Sequence, residues 1–428
     1  MTEGRHVLIL VENLPVPFDR RVWQEARTLL DAGYAVSVIC PAAKGHLKAY
    51  EFLDGVHIYR HPLREARSAR GYLREYATAL FHQLRLSFRV RRRQRIDVIQ
   101  ACNPPDLMFL IALVHKLLFG TRFVFDHHDL CPELYVAKFD RKDIGYRAMR
   151  MFERLTFRSA DASIATNEIF RELAISRGGM SPNRVFMVKS YPEAEKFRRT
   201  EAEPRLVALG KHLIGYVGIM GPQDGVDALV RAMAELQACG RDDIHCVIIG
   251  EGPELPRLRE LAAALGLDGS ITFTGYLRGA PLLSHLSSLS VGVIPDAPNE
   301  FNDKLSMNKV FEYMMLGLPI VQFNLLQASR DAGDAALVAA EHSPKALAEA
   351  IASLVDDPDR RRRMGTFGFE TAQREFRWSV EQANYLAAYR AVLRQETTSD
   401  DQPAYRSGAS PEARLRLLSS RQSGKGSE

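Results

Sequence analysis

The sequence predicts an α/β protein of two doubly wound, Rossmann-like domains facing one another across a cleft. Three observations carry this expectation. The chain has 428 residues, and a single core rarely keeps growing past roughly 250–300 residues. Short β-type apolar runs alternate with segments of helical period, the signature of parallel βαβ units. The alternation occurs twice, on either side of residues 191–211, where Pro192, Pro204, Glu201 and Glu203 interrupt any period and mark an interdomain linker.

Residues 6–11 read as the first strand. After Arg20, the apolar positions Val22, Ala26, Leu29 and Leu30 fall at helical spacing, and Gly33 follows as a helix-ending glycine. Residues 36–40 form the next strand, stopped by Pro41. Strands at 98–101 and 123–125 flank a helix over 106–119, and a strand at 162–165 follows the helix that carries Phe152, Leu155 and Phe157. In the second series, strands fall at 213–217, 246–249, 271–273, 291–294 and 319–323. Helices are centred near Leu229, Leu258, Leu283, Tyr313 and Leu347. An apolar stripe of Val380, Ala383, Leu386, Ala387 and Tyr389 predicts a last helix, and residues 396–428, rich in Ser, Gly and charge, predict a disordered tail.

Composition is that of an ordinary globular protein, with 46% hydrophobic and 25% charged residues. The five cysteines (Cys40, Cys102, Cys131, Cys239, Cys246) are scattered without a C-x-x-C pair, which argues against a disulfide framework and a structural zinc site. The first apolar run is strand-length and lacks the core of a secretory signal, so a cytoplasmic location is expected. The longest apolar stretch, 107–119, is broken by His115 and Lys116 and is short of the roughly 20 residues a membrane-spanning helix needs. From Arg70 to Arg95 the chain carries eight arginines against one acid, Glu75, with Leu73, Tyr76, Ala77, Leu80, Phe81, Leu84 and Phe88 at helical spacing. This basic amphipathic helix either packs its stripe on the sheet with arginines in water, or also rests on anionic lipid at the inner face of a membrane. Nucleic acid is not expected, since no recognisable binding module accompanies the charge.

Two blocks carry chemistry. In CVIIGEGPELPRLRELAAALGL a strand runs into a turn at Gly250, Glu251 and Gly252 and then a helix, an arrangement that lets a ligand approach bare backbone. An ordinary tight βα connection has the same pattern. In PDAPNEFNDKLSMNKVFEYMMLGLPIV, a helix started by Asn302 or Asp303 puts Leu305, Asn308, Lys309 and Glu312 near one face, with Ser306 in the first turn. A lysine there suits a diphosphate and a carboxylate one turn on suits a ribose diol, although a solvated i,i+3 pair looks the same.

Together with IGYVG…GVDALVRAM and ITFTGYL, these blocks resemble in order and spacing the donor domain of GT-B, family 4 glycosyltransferases. The stretches ENLPVPFDRRVWQEARTLLDAGYAVSVICP and FDHHDLCPELY look like the acceptor domain of bacterial members that build surface polysaccharides. The resemblance implies a sugar moved from a nucleoside-diphosphate donor to a hydroxyl acceptor, free or lipid-linked, with retention at the anomeric carbon and neither cofactor nor metal. It places Glu312 as the second glutamate of an E-x7-E motif, holding the donor ribose, with Lys304 in place of the first. Ile219 and Asp224 stand where the family carries its phosphate-binding arginine and lysine. Lys309, then Arg330, with the amides around Gly218 and Gly221, become the candidates for that charge.

Asp126-His127-His128-Asp129 is expected just after a strand, at the carboxyl edge where doubly wound folds bind ligands. Asp126 and His127 are the expected catalytic groups, His127 beside the reacting sugar; a hydrogen-bonded place inside the cleft wall is the alternative. Asp19, Arg20, Asn103 and His128 are expected on the acceptor side, with turn and cap roles open for the loop around Asn103 and Asp106. The expected domains are 1–190 for the acceptor side and 195–375 for the donor, with 376–395 a helix returning to the first. A nucleotide-sugar epimerase and a non-catalytic scaffold subunit are the rival readings.

Overall fold

The computed structural model describes residues 4–63, 69–193 and 197–393, and the two sheets with their helices, through Val392, form one compact unit. The expected tail at 396–428 lies outside the described residues. The first sheet has strands β1 (His6–Leu10), β2 (Ala35–Ala42), β3 (Tyr50–Leu53), β4 (Val56–Pro62), β5 (Val98–Cys102), β6 (Arg122–His127), β7 (Ala162–Ala165) and β8 (Val185–Met187). Their order is β3-β4-β2-β1-β5-β6-β7-β8, parallel except for β3 against β4. The second sheet has β9 (His212–Val217), β10 (Ile244–Ile249), β11 (Ile271–Gly275), β12 (Val291–Ile294), β13 (Ile320–Gln322) and β14 (Ala336–Val338), in the order β11-β10-β9-β12-β13-β14 and wholly parallel. Two parallel α/β sheets are therefore present, as the two alternating series require.

The central strands are apolar on both faces because helices cover both: every residue of HVLIL in β1 and of VGVI in β12 is buried. Fully burying a side chain such as Phe123 or Tyr216 stabilises by roughly 1.5–3 kcal/mol before the entropy of ordering it.

Three local features differ from expectation. Pro41 does not stop β2. Beyond Ile39 the strand has lost its partner β1 and pairs only with β4, and at such an edge a missing N–H is tolerated. The hairpin of β3 and β4 was not expected; its two-residue turn, Asp54 (φ 46°) and Gly55 (φ 87°), needs positive φ at both positions, which Asp-Gly supplies. Within the linker, Pro204–Val207 forms a short helix, and Tyr191 is buried in a stack on Phe376, ring centroids 4.7 Å apart.

The final helix, Trp378–Leu393, packs on the first sheet. Tyr385 donates its hydroxyl to Gln100 Oε1 of β5 at 2.7 Å, Tyr389 reaches the same oxygen, and Trp378 Nε1 donates to Thr28 Oγ1 at 2.9 Å.

Candidate active site between the two sheets

The carboxyl ends of β1, β5 and β6 face those of β9, β10 and β12, and side chains meet across the gap. Asp19 N-caps the Arg20–Asp31 helix by accepting from Val22 N at 3.1 Å, so it spends its carboxylate locally rather than on the cleft. Its neighbour Arg20 reaches across: Nη2 donates to Glu312 Oε1 at 2.6 Å, joining a side chain 60% exposed to one 6% exposed. Lys304 Nζ lies 3.0 Å from Glu133 of the first domain, Asn167 Nδ2 donates to the Lys304 carbonyl at 2.9 Å, and Lys189 approaches Asp331 at 3.5 Å. The position where a motif glutamate was expected thus bears a cation paired with a glutamate from the opposite domain.

On the first domain the network centres on Arg21, which the sequence reading missed. Its guanidinium contacts Asp126 Oδ1 at 3.1 Å, Glu25 Oε1 at 3.0 Å, His128 Nε2 at 2.9 Å and the Val188 carbonyl at 3.0 Å. Gln100 Nε2 donates to both Asp126 Oδ2 and Glu25 Oε2 at 2.8 Å. Burial, then repulsion by Asp126, pushes Glu25 well above the usual carboxylate range; Asp126 is also penalised by burial, but His128 and Arg21 outweigh that and hold it low. His128 is the cleft-side imidazole: Nε2 sits 2.7 Å from Asp126 Oδ2, and its side chain is 17% exposed.

His127 is a correction. β6 runs on through Asp126 and His127, and strand alternation turns neighbours to opposite faces, so His127 enters the core while His128 leaves it. Its ring sits among Phe125, Phe157 and Phe170, at centroid distances of 5.2, 5.2 and 4.8 Å, with both nitrogens unpartnered. Burial, then Arg177, lowers its pKa to about 3. A group with no solvent-facing surface does not touch a sugar. Asn103 is buried as a clamp: Oδ1 accepts from His128 N at 2.7 Å and Asp129 N at 3.1 Å, and Nδ2 donates to Asp106 Oδ1 at 2.9 Å. It positions the loop that carries His128.

On the donor side Glu312 rides the Asn308–Met315 helix, which starts later than expected. Asn302–Lys304 is a separate 3-10 turn held by Asn302 Nδ2 on the Gln223 and Ala297 carbonyls, and Leu305 follows in extended backbone. Ser306 consequently lies outside the helix and donates to Asp331 at 2.8 Å, while Asn308 is exposed at the first turn. Tyr313, next to Glu312, is buried with its hydroxyl on Val217 N (3.1 Å) and the Gly215 carbonyl (3.2 Å), locking the helix to β9.

Lys309, the leading candidate for the phosphate charge, is held in an ion pair. Its Nζ is 2.6 Å from buried Asp296 and 4.7 Å from the Tyr216 ring centroid, so its charge is already neutralised. Burial raises Asp224 beside it to about 6, with Lys309 opposing. Arg330 is exposed on the Leu326–Ala332 helix and pairs with no described residue. Gly250 and Gly252 serve loop against loop: a Cβ at Gly250 would fall 1.9 Å from the Gly218 carbonyl, and one at Gly252 2.4 Å from that of Met220. Gly221 N donates to Asp224 Oδ2 at 2.8 Å, and Glu251 is exposed at the turn.

Glu25, Cys102, Asp126 and His128 converge with ligand-type atoms within 4.8 Å of one another, but the Arg21 guanidinium already contacts three of these four side chains or their carboxylates, placing a cation there. His127, His128, Asp129 and Cys131 do not converge on one point, because His127 points into the core and Cys131 packs on Asn103.

Comparison with known proteins bears on this cleft. Residues 19–189 match the glycosyl transferase 4-like domain and residues 211–357 the glycosyl transferases group 1. An alpha-D-kanosaminyltransferase of Streptomyces kanamyceticus is 27% identical over 221 residues, 50% of this chain and 55% of the relative, so the chain spans about half that protein's length. The sucrose-phosphate synthase of Thermosynechococcus elongatus superposes with a TM-score of 0.73 at 17% identity, over 91% of this chain and 99% of the other. Anabaena HepE in complex with UDP and glucose does so with a TM-score of 0.65 at 13% identity, over 90% and 99%. At such identities the two structural likenesses are of fold.

Proposed function

Since the chain belongs with the glycosyltransferases of the GT-B fold, a 4-like domain followed by a group 1 domain, we propose that it moves a sugar from a nucleoside-diphosphate donor to a hydroxyl acceptor bound between the two sheets. The observation that carries this reading is the Arg20 to Glu312 pair. A nearly buried carboxylate on a locked helix is gripped by a long, mostly exposed side chain from the opposite domain. A ribose diol satisfies that carboxylate equally well, and its arrival frees the guanidinium. Arg20 then supplies the positive charge that Lys309, committed to Asp296, does not. Charge builds on the diphosphate as its bond to the anomeric carbon breaks, and a pre-placed guanidinium stabilises it.

In this proposal the departing phosphate oxygen takes the proton of the acceptor hydroxyl on the same face of the sugar. Configuration is retained, with neither a carboxylate pair nor a metal. His128, oriented by Asp126 at Nε2, presents Nδ1 to the sugar or acceptor. That HepE is solved with UDP and glucose supports a nucleotide and a sugar in this cleft, and the acceptor-side resemblance supports polysaccharide or glycolipid assembly as the setting. The test is product analysis with a panel of nucleotide sugars, with and without hydroxyl acceptors. Acceptor-dependent release of nucleoside diphosphate is expected, reduced about a hundredfold or more in Glu312→Ala. Acceptor-independent conversion of the donor sugar to an epimer would contradict the reading.

A further inference from the structure

Three adjacent helices on one side of the first sheet form a surface that neither the core nor the cleft uses. The Ala69–Arg93 helix meets the Phe109–Phe119 helix where the Arg91 guanidinium lies 3.6 Å from the Phe119 ring centroid and Ser87 bonds His115 at 2.9 Å. The Phe109–Phe119 helix meets the Ile144–Ser159 helix where Lys116 Nζ donates to the Ser159 carbonyl at 2.9 Å. The outward stripes are unusual in composition. On the first helix Arg74, Phe81, Arg85, Arg89 and Arg92 recur at helical spacing and are exposed, with Phe81 63% exposed. On the second, Leu117 and Leu118 are 77% and 62% exposed. On the third, Ile144, Arg147, Met151, Arg154 and Arg158 are exposed at the same kind of spacing. Side chains before Arg74 on the first helix lie outside the described residues.

Acidic groups are scarce along the three helices, with Asp143 capping the third. The three helices hold two acids, Glu75 and Glu153, and Glu153 is buried on Arg177. A water-facing helix ordinarily interleaves both signs and hides its leucines. Arginine interleaved with protruding Leu, Ile, Met and Phe instead suits a partner that is anionic at its surface and apolar just beneath. No described helix is long and apolar enough to cross a membrane, so the chemistry is that of a surface contact.

We propose that this three-helix face docks the protein on an anionic lipid bilayer, with arginines on phosphate headgroups and Phe81, Leu117 and Leu118 entering the acyl boundary. The contribution of each arginine near an anionic leaflet is about fivefold in partitioning. The leucines add an apolar part that salt does not screen.

The test is cosedimentation of the full chain with vesicles of phosphatidylcholine alone or containing about a third phosphatidylglycerol. Binding to the anionic vesicles alone is expected, falling as salt rises. The triple variant Arg85→Glu, Arg89→Glu, Arg92→Glu should weaken it on the order of a hundredfold. Leu117→Asp with Leu118→Asp, at exposed positions that the fold does not need, should weaken it about tenfold or more. Arg362→Glu with Arg363→Glu, on an exposed basic stretch of the second domain, should leave it unchanged. Absence of binding, equal binding to both vesicles, or an equal loss in the second-domain variant would overturn the proposal. The assay needs neither donor nor acceptor, so its outcome is independent of the sugar-transfer reading.

Discussion

His127 and His128 are adjacent in sequence and opposite in circumstance. The first is enclosed by three phenyl rings with no partner for either nitrogen, and the second is half-buried at the cleft on Asp126. An unpartnered buried polar group costs about 1–3 kcal/mol, so His127→Leu, close in volume, is expected to keep transfer activity and to gain about 1 kcal/mol in urea unfolding. His128→Ala should fold normally and lose about a hundredfold in kcat. The His127 ring stays neutral in the folded chain down to about 3, whereas in the unfolded chain it takes a proton below its ordinary 6.5. Its contribution is therefore intact above about pH 6.5 and is lost as pH falls from there toward 3. Between about pH 7 and pH 5 that is a decline of about 2 kcal/mol, which His127→Leu should remove from the pH dependence of the unfolding midpoint.

Among the elements, the glycine loops after β9 and β10 interlock as backbone on backbone. Gly250 combines φ +139° with the Gly218 carbonyl 1.9 Å from where a Cβ would stand, while Gly266, at φ +70°, has open space around it. Gly250→Ala should thus destabilise by more than about 2 kcal/mol, and Gly266→Ala by only about 1, in the same unfolding assay. The strands were legible in sequence because parallel, doubly covered strands are short β-branched runs with Gly or Pro at their ends. What escaped was set by contacts remote in sequence. The Asn308–Met315 helix starts late because Asn302 is captured by the Gln223 and Ala297 carbonyls. Asp126 and His127 remain in β6, beyond its apolar run, because β7 continues pairing alongside them. Arg21 and Glu25 read as an ordinary helix pair, and only the arrival of β5 and β6 makes them the centre of a buried network. The glycines at 250 and 252 were recognised as special positions, but loop packing and ligand approach leave the same trace in a sequence.

At the scale of the whole molecule, the chain returns on itself. Tyr385 and Tyr389 of the last helix share one oxygen of Gln100, which also bridges Glu25 and Asp126. The C-terminal helix is in this way part of what holds His128. Gln100→Leu should orphan the buried hydroxyls and carboxyls together and cost about 3 kcal/mol or more in the unfolding assay, with activity falling as well. Across the cleft, Arg20 with Glu312 and Lys304 with Glu133 tie the two domains. A donor that replaces the first of these pairs is read by both domains at once. The measurement that tests this most directly is equilibrium binding of uridine, adenosine and guanosine diphosphates and their parent nucleosides to wild type, Glu312→Gln and Arg20→Ala. One base is expected to bind; Glu312→Gln should weaken its diphosphate at least tenfold, about 1.4 kcal/mol, and Arg20→Ala should weaken the diphosphate while tightening the nucleoside. Failure of every nucleotide to bind the folded protein, or unchanged binding in Glu312→Gln, would contradict the assignment of this cleft to sugar transfer.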